Sequence, residues 1–234
     1  LRSPLTSISG FSEMLKQEYF GSLSEKQKEY VEGIHQSSQH LMQLINDILD
    51  LASIEAGYMR LDVSKFDIYA MMKSVVSLIH ERAKEFSLNV DFECAKGIGK
   101  MTGDETRIKQ ILFNLLSNAI KYSSTGDTIS VGANEDANGS IVMWVQDEGK
   151  GISPDEQKEI FNSFYKGKNQ EAARVRPGPR SGTGLGLSIV KNFIELHGGK
   201  VELHTELGKG TRFECHLQRH NPDLQPLVKS GKAA

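Results

Sequence analysis

The sequence predicts an α+β protein in two parts, a helical hairpin followed by an α/β sandwich. Three observations predict it. An apolar seam with alternating three- and four-residue steps runs through residues 1–57, with no strand signal. Beyond residues 57–63, strand-like alternation and helix-like periodicity take turns. The 234 residues, 38% hydrophobic and 25% charged, suffice for the cores of one or two ordinary globular domains. The expected division is a hairpin over 1–57, a second domain over 58–220 and a disordered tail over 221–234.

In the hairpin, Leu1, Leu5, Ile8, Ser12, Leu15 and Tyr19 follow coiled-coil spacing, and Phe20-Gly21-Ser22-Leu23 ends the run. Ser24-Glu25-Lys26-Gln27 has the form of a capping box and should start a second helix. That helix carries Val31, Ile34, Ser38, Leu41, Ile45, Ile48 and Ala52 and should stop near Gly57. One seam per helix leaves a flank wet in a lone hairpin. Two hairpins are therefore expected to pair as a four-helix bundle in a homodimer.

In the second part, residues 59–63 read as a weak strand. Asp67 should cap a helix running to Phe86, with Ile68, Met72, Val75 and Ile79 on its buried face. Residues 89–94 read as a strand. Asp104 should cap a helix to Tyr122, buried through Ile108, Ile111, Leu112, Leu115, Leu116 and Ala119. Strands over 128–134 and 140–147 meet across Asn138-Gly139. Ser153-Pro154-Asp155-Glu156 looks like another helix start, with serine as cap, proline at the first position and a capping-box glutamate. A helix after Gly184 ends at Gly198-Gly199, and strands over 200–205 and 211–217 flank Gly208-Lys209-Gly210. The sum is a mixed sheet with helices on one face.

With 28 Lys+Arg against 30 Asp+Glu, bulk nucleic-acid binding is not expected. No apolar run reaches the ~20 residues that span a bilayer, and no signal peptide opens the chain. Cys94 and Cys215 form neither a disulfide framework nor a metal-ligand spacing, so both are read as small buried hydrophobes in a reducing compartment. A cytoplasmic location is expected. The chain opens on Leu1, so a fragment is expected, with any membrane anchor outside it.

Four segments are candidates for chemistry. Asn114, Asn118 and Lys121 lie at i, i+4 and i+7 on one helix stripe. Amide oxygens suit Mg²⁺ and the lysine suits phosphate; a merely solvated face is the alternative. Asp147-Glu148-Gly149-Lys150-Gly151 ends a strand with a carboxylate that can accept from an exocyclic amine, beside glycines that admit a ligand; an ordinary tight turn is the alternative. Ser181-Gly182-Thr183-Gly184-Leu185-Gly186 runs into a helix N-terminus, a phosphate cradle without the signature of a Rossmann fold or P-loop. Residues 166–180, with Lys166, Lys168, Arg174, Arg176 and Arg180, read either as a basic lid over phosphates or as a solvated loop. Gly208-Lys209-Gly210-Thr211 either backs the same site or only closes a hairpin.

In order, Asn114-x-x-x-Asn118-Ala119-x-Lys121-Tyr122, Asp147-x-Gly149-x-Gly151, Phe161-x-x-Phe164, the run Gly182-Thr183-Gly184-Leu185-Gly186-Leu187, and Gly208-x-Gly210-Thr211 resemble the N, G1, F, G2 and G3 boxes of sensor histidine kinases. The nucleotide-binding part resembles the wider GHKL ATPase family that includes gyrase, Hsp90 and MutL. Leu1-Arg2-Ser3-Pro4-Leu5 resembles the latter half of the H-box. The resemblance covers residues 1 to about 218. It implies ATP and Mg²⁺ as cofactors, with Asn118 on the metal and Asn114 beside it. Lys121 would touch phosphate, Tyr122 would line the nucleotide and Asp147 would read the adenine amino group. Gly149 and Gly151 would admit the base, and Gly182, Gly184 and Gly186 would wrap the phosphates. Thr211 would support the floor, with Ile152, Lys166, Thr183, Leu185 and Leu187 completing the cofactor site. The family reaction moves the γ-phosphoryl of ATP to a histidine on the hairpin, then to an aspartate of a response-regulator receiver domain.

The acceptor histidine is expected two residues before Leu1. His35, His40, His80, His197, His204, His216 and His220 are read as surface or packing residues. Ser3 stands where Thr or Asn often serves the family's phosphatase reaction. Asn162-Ser163 replaces the frequent Glu-Pro, and Lys166 replaces Arg. Glu148 replaces Asn or Thr, and its charge is expected to weaken ATP binding. The second reading is a non-catalytic module similar to the DivL-type group of alphaproteobacteria, with tyrosine at the acceptor position, that binds a receiver domain. An ATPase of the MutL or Hsp90 type would use a glutamate base on the N-box helix, and position 114 is asparagine.

Overall fold

The computed structural model describes residues 2–167 and 183–224. Helices α1 (Arg2–Lys16) and α2 (Glu25–Glu55) form the hairpin. Ser24 caps α2 with a full capping box: its side chain accepts from the Gln27 amide, and its own amide donates to the Gln27 side chain at 2.8 Å. The seam divides into two stripes. Leu5, Ser12, Val31 and Ser38 are buried between the helices, whereas Ile8, Leu15, Ile34, Leu41 and Ile48 stay 41–51% exposed. His35 is buried in the same contact, 3.1 Å from Ser12 Oγ through Nδ1 and 2.8 Å from the Gln39 amide nitrogen through Nε2. This agrees with its reading as a packing residue.

The second domain runs β1 (Ser64–Asp67), α3 (Ile68–Glu85), β2 (Asn89–Cys94), β3 (Lys100–Gly103), α4 (Glu105–Tyr122), β4 (Thr128–Glu135), β5 (Ser140–Asp147), α5 (Pro154–Gln157), α6 (Gly186–Leu196), β6 (Lys200–Glu206) and β7 (Gly210–Gln218). Five strands form one sheet in the order β2-β4-β5-β7-β6, with β2 and β4 parallel and the other pairs antiparallel. Side chains alternate across it. Thr211, Phe213, Cys215 and Leu217 of β7 are buried on the inner face, under α3, α4 and α6. Met72, Ile79, Leu116, Ile129, Val190 and Phe193 lie in this core at 0–1% exposure. Each such side chain contributes about 1.5–3 kcal/mol by leaving water.

Two aspartates set the helix starts. Asp67 accepts from the Ala70 amide at 2.8 Å, and Asp104 accepts from the Arg107 amide at 3.1 Å. Each such cap is worth about 1 kcal/mol. Asp104 also organises a joint: its second oxygen takes the Asp62 amide at 2.9 Å, and its own amide donates to His197 Nε2 at 3.1 Å. His197 Nδ1 lies 2.7 Å from the Phe193 carbonyl, and burial pushes the imidazole pKa down, so a neutral ring is fixed at the end of α6.

The strand expected over residues 59–63 is corrected. Leu61 and Val63 are buried, so the alternation is real, but the Asp62 amide is taken by the Asp104 side chain rather than by a ladder. The paired strand begins at Ser64 and runs antiparallel to β3, a partner not anticipated from the sequence. The capping box expected at Ser153 is also different. Its hydroxyl donates to Glu156 at 2.7 Å and makes no bond to the helix backbone, and α5 is a single turn. Of the tail expected from residue 221, residues 221–224 form a turn in which Asn221 donates to the His197 carbonyl at 3.1 Å. The remainder lies outside the described residues.

Candidate functional site

A cavity of about 110 Å³ opens between the C-terminal half of α4, the end of β5, the start of β7 and the segment around α5. Asn118, Tyr122, Asp147, Gly151, Ile152, Leu187 and Thr211, all expected at the site, line it. Register explains the convergence: Asp147 ends β5 directly opposite Thr211 at the start of β7. Asn118 and Tyr122 are one helical turn apart on α4, on the same face.

Asp147 is buried in this wall at 8% exposure. Burial pushes its carboxyl up to about 6, while the amides of Gly149 and Thr211 pull it back. The Gly149 amide donates at 2.9 Å. Thr211 Oγ1 sits 3.1 Å from Thr205 Oγ1, which accepts the Ile152 amide at 3.0 Å and donates to the Gly210 carbonyl at 2.9 Å. This chain of bonds ties the loop after β5 to the β6–β7 turn. Gly151 completes the tie: at φ +68° a Cβ would stand 2.1 Å from the Glu206 carbonyl oxygen, so a side chain is excluded there.

The glycine turn before α6 packs on the Phe161-x-x-Phe164 segment. Phe164, itself at φ +65°, donates its amide to the Gly184 carbonyl at 3.0 Å. A Cβ on Gly184 would meet the Phe164 backbone at 2.7 Å. Thr183 Oγ1 accepts the Leu185 amide at 3.0 Å. Phe161 meets Phe213 edge-on at 6.2 Å, whereas Phe164 is 60% exposed.

Other expected residues lie elsewhere. Asn114 donates to the Gly186 carbonyl at 3.4 Å and lines a separate cleft of about 840 Å³ between hairpin and sheet domain, with Thr6, Gln43, Asp50, Arg107 and Phe113. Gly186 lies against it. Lys121 is outside the cavity wall, with Nζ 4.9 Å from the Tyr122 ring. The Leu185 side chain is fully buried in the core. Lys166 is exposed beside Gly167, which lines the cavity. Gly182 and the basic segment beyond Lys166 fall outside the described residues. Glu148 turns from the cavity: its carboxylate accepts the Thr128 amide at 2.9 Å and is not in the cavity wall.

Lys150, Glu156, Ile160, Tyr165, Gly167 and Phe213 line the cavity without having been singled out for it. Lys150, exposed at the rim, has Nζ 5.3 Å from the Tyr122 ring. The Tyr165 hydroxyl is shielded from solvent and makes no hydrogen bond. A buried carboxylate and an unmet hydroxyl in one wall fit a ligand that carries both a donor and acceptors. For Phe213 the signal was available, since it stands two residues beyond Thr211 on the same strand face. Tyr165 reaches the wall through the path of a loop and Glu156 from the single turn α5, and no periodicity encodes either.

The family model for "Histidine kinase-, DNA gyrase B-, and HSP90-like ATPase" matches residues 103–221, and that for "His Kinase A (phospho-acceptor) domain" matches residues 1–57. The circadian input-output histidine kinase CikA of Synechococcus elongatus is 37% identical over 215 residues, 91% of this chain and 28% of that protein. The sensor protein DivL of Caulobacter vibrioides is 34% identical over 217 residues, 93% of this chain and 26% of that protein. The crystal structure of full-length ShkA in complex with AMPPNP superposes with a TM-score of 0.74 at 29% identity, covering 92% of this chain and 43% of that one. The chain thus spans less than half the length of each of these proteins. With both family models matched in order on a hairpin and a sheet domain of this type, the chain belongs to the sensor histidine kinases, as a kinase core with a GHKL-type ATPase domain.

Proposed function

We propose that the cavity at Asp147 binds the adenine of ATP and that the chain serves as the kinase core of a two-component system. The observation that carries this is the Asp147 carboxylate, buried and held by the Gly149 and Thr211 amides in a cavity wall shared with Asn118, Tyr122 and Thr211. Such a group accepts an exocyclic amine at a lower cost than it bears alone. Ile152, Leu187 and Phe213 supply apolar walls for a planar base. The amides at the start of α6, with Lys121 and Lys166, supply positive potential for phosphates. Asn118 offers a hard amide oxygen to Mg²⁺, and Asn114 and the glycine turn hold the neighbouring backbone. Bound Mg²⁺ supplies charge neutralisation on the phosphates, and the protein positions them.

The acceptor histidine would stand seven residues before Thr6, two helical turns away on the same face. Thr6 lines the large cleft, as does Asn114. This supports delivery of the γ-phosphoryl across that cleft, and onward transfer to a receiver-domain aspartate. The exposed apolar stripe of the hairpin supports a homodimer through residues 1–57. No described helix is long and apolar enough to cross a membrane; the core is proposed to work in the cytoplasm. The full-length protein incubated with MgATP should acquire acid-labile phosphate on the hairpin. Nucleotide binding without any such phosphate would instead support the non-catalytic reading, in which the hairpin docks a receiver domain.

A further inference from the structure

The outer face of the sheet, opposite the nucleotide cavity, carries a second constellation. Glu202 of β6 and Glu214 of β7 are directly paired across the ladder. Like charges in this position destabilise a sheet unless something lies between them. His216 and His204 flank the pair on its two sides. His216 Nε2 lies 3.5 Å from Glu202 Oε2 and 3.7 Å from Glu214 Oε2. His204 Nε2 lies 3.9 Å and 3.7 Å from the same two oxygens. His216 Nε2 and one oxygen of each carboxylate all lie within 4.8 Å of one another, with His204 at the edge of the group.

We propose that Glu202, Glu214 and His216 form a three-residue binding site for a divalent transition metal of the zinc class, with a fourth position open to water. A tetrahedral zinc with bonds of about 2.0–2.1 Å needs ligand atoms about 3.4 Å apart. The separations of His216 Nε2 from the two carboxylate oxygens, 3.5 and 3.7 Å, are a few tenths of an ångström from that shell. The donor chemistry, borderline imidazole with carboxylate, suits zinc and not magnesium or calcium. His216 Nε2 is shielded from solvent and makes no hydrogen bond, which a metal would satisfy.

A supporting shell is already in place. Glu214 presents Oε1 to Arg212 Nε at 2.6 Å, and Glu202 presents Oε1 to Lys200, which leaves both Oε2 atoms facing the imidazoles. Arg212 is held in turn by stacking 4.1 Å from the Trp144 ring and by a bond to Gln146 at 3.2 Å. Outer partners of this kind fix carboxylate orientation at metal centres. A metal here would clamp β6 to β7 a few residues from Thr205 and Thr211, and so stiffen the floor of the nucleotide cavity from behind.

The test uses tag-free protein, free of nucleotide, titrated with Co²⁺ and with Zn²⁺. One equivalent of Co²⁺ should give the visible absorption of a tetrahedral centre, and Zn²⁺ should displace it. His216→Ala and, with less change of shape, Glu214→Gln should each weaken binding by at least tenfold, whereas His220→Ala should leave it unchanged. Zn²⁺ should raise the melting temperature of the wild type and not of His216→Ala. Absence of a stoichiometric site in the wild type, or equal affinity in the wild type and both ligand variants, would overturn the assignment.

Discussion

Arg107 of α4 reaches 2.8 Å to Asp50 of α2, and with Gln110, which donates to the same carboxylate at 3.3 Å, it ties hairpin to sheet domain. The guanidinium also bonds Gln110 at 2.9 Å and lies 4.9 Å from the Phe193 ring, so it is packed as well as paired. With Leu51 of α2 buried in the sheet-domain core, the contact combines an apolar anchor and a partly shielded ion pair.

Arg107→Ala should therefore loosen the two parts as well as destabilise the chain. Loss of a half-buried pair that leaves Asp50 without its cation costs about 1–3 kcal/mol. Urea denaturation reads the stability, and small-angle scattering reads an increased radius of gyration. Nucleotide affinity should not change, because neither residue lines the Asp147 cavity. An unaltered scattering profile would remove the pair from any role in docking.

Asp147 makes the protein pH-sensitive in two opposite ways. Its carboxyl is raised in the folded chain, from 3.8 to about 6, so the folded state holds a proton that the unfolded state releases earlier. The resulting stability, on the order of 3 kcal/mol, is present below about pH 4 and is lost as pH rises through about 6. Nucleotide binding runs the other way, because an adenine amine favours the ionised acceptor, and affinity should fall as pH drops below 6. Asp147→Asn should flatten both profiles, measured by denaturation and calorimetry across pH 5–8.

Glu148→Asn tests the orientation of a charge. Because the carboxylate binds the Thr128 amide outside the cavity, the variant should change ATP affinity by less than about threefold and stability by less than about 1 kcal/mol. A large gain in affinity would mean that the charge does act on the nucleotide.

Leu41 lies midway along the exposed stripe of α2, seven residues from both Ile34 and Ile48. Leu41→Glu would bury a charge in the bundle seam and should shift the protein from dimer to monomer in sedimentation velocity. A variant that remains dimeric would place the interface elsewhere.

How much was legible follows from range. β2 and α4 start and end where the pattern predicts, because alternation, periodicity and an aspartate cap are local signals. The β1–β3 pair was not legible because each strand has only four residues, most of those in β1 polar, and each is defined only by a distant partner. At the site, Asp147, Asn118, Tyr122 and Thr211 were legible through motif order, and register brings them together. The orientation of Glu148 was not legible, because sequence places a residue near a pocket without saying which way its carboxylate turns. The Glu202, Glu214 and His216 group was not legible, since it spans two strands and has no linear spacing.

The most direct test of the nucleotide site is isothermal calorimetry of MgATP with wild type and Asp147→Asn at pH 7.5. Loss of one buried, charge-assisted bond should weaken binding by about 1–3 kcal/mol, roughly five- to a hundredfold, while the fold is retained. Equal affinity in the two proteins would contradict the assignment of Asp147 as the group that reads adenine.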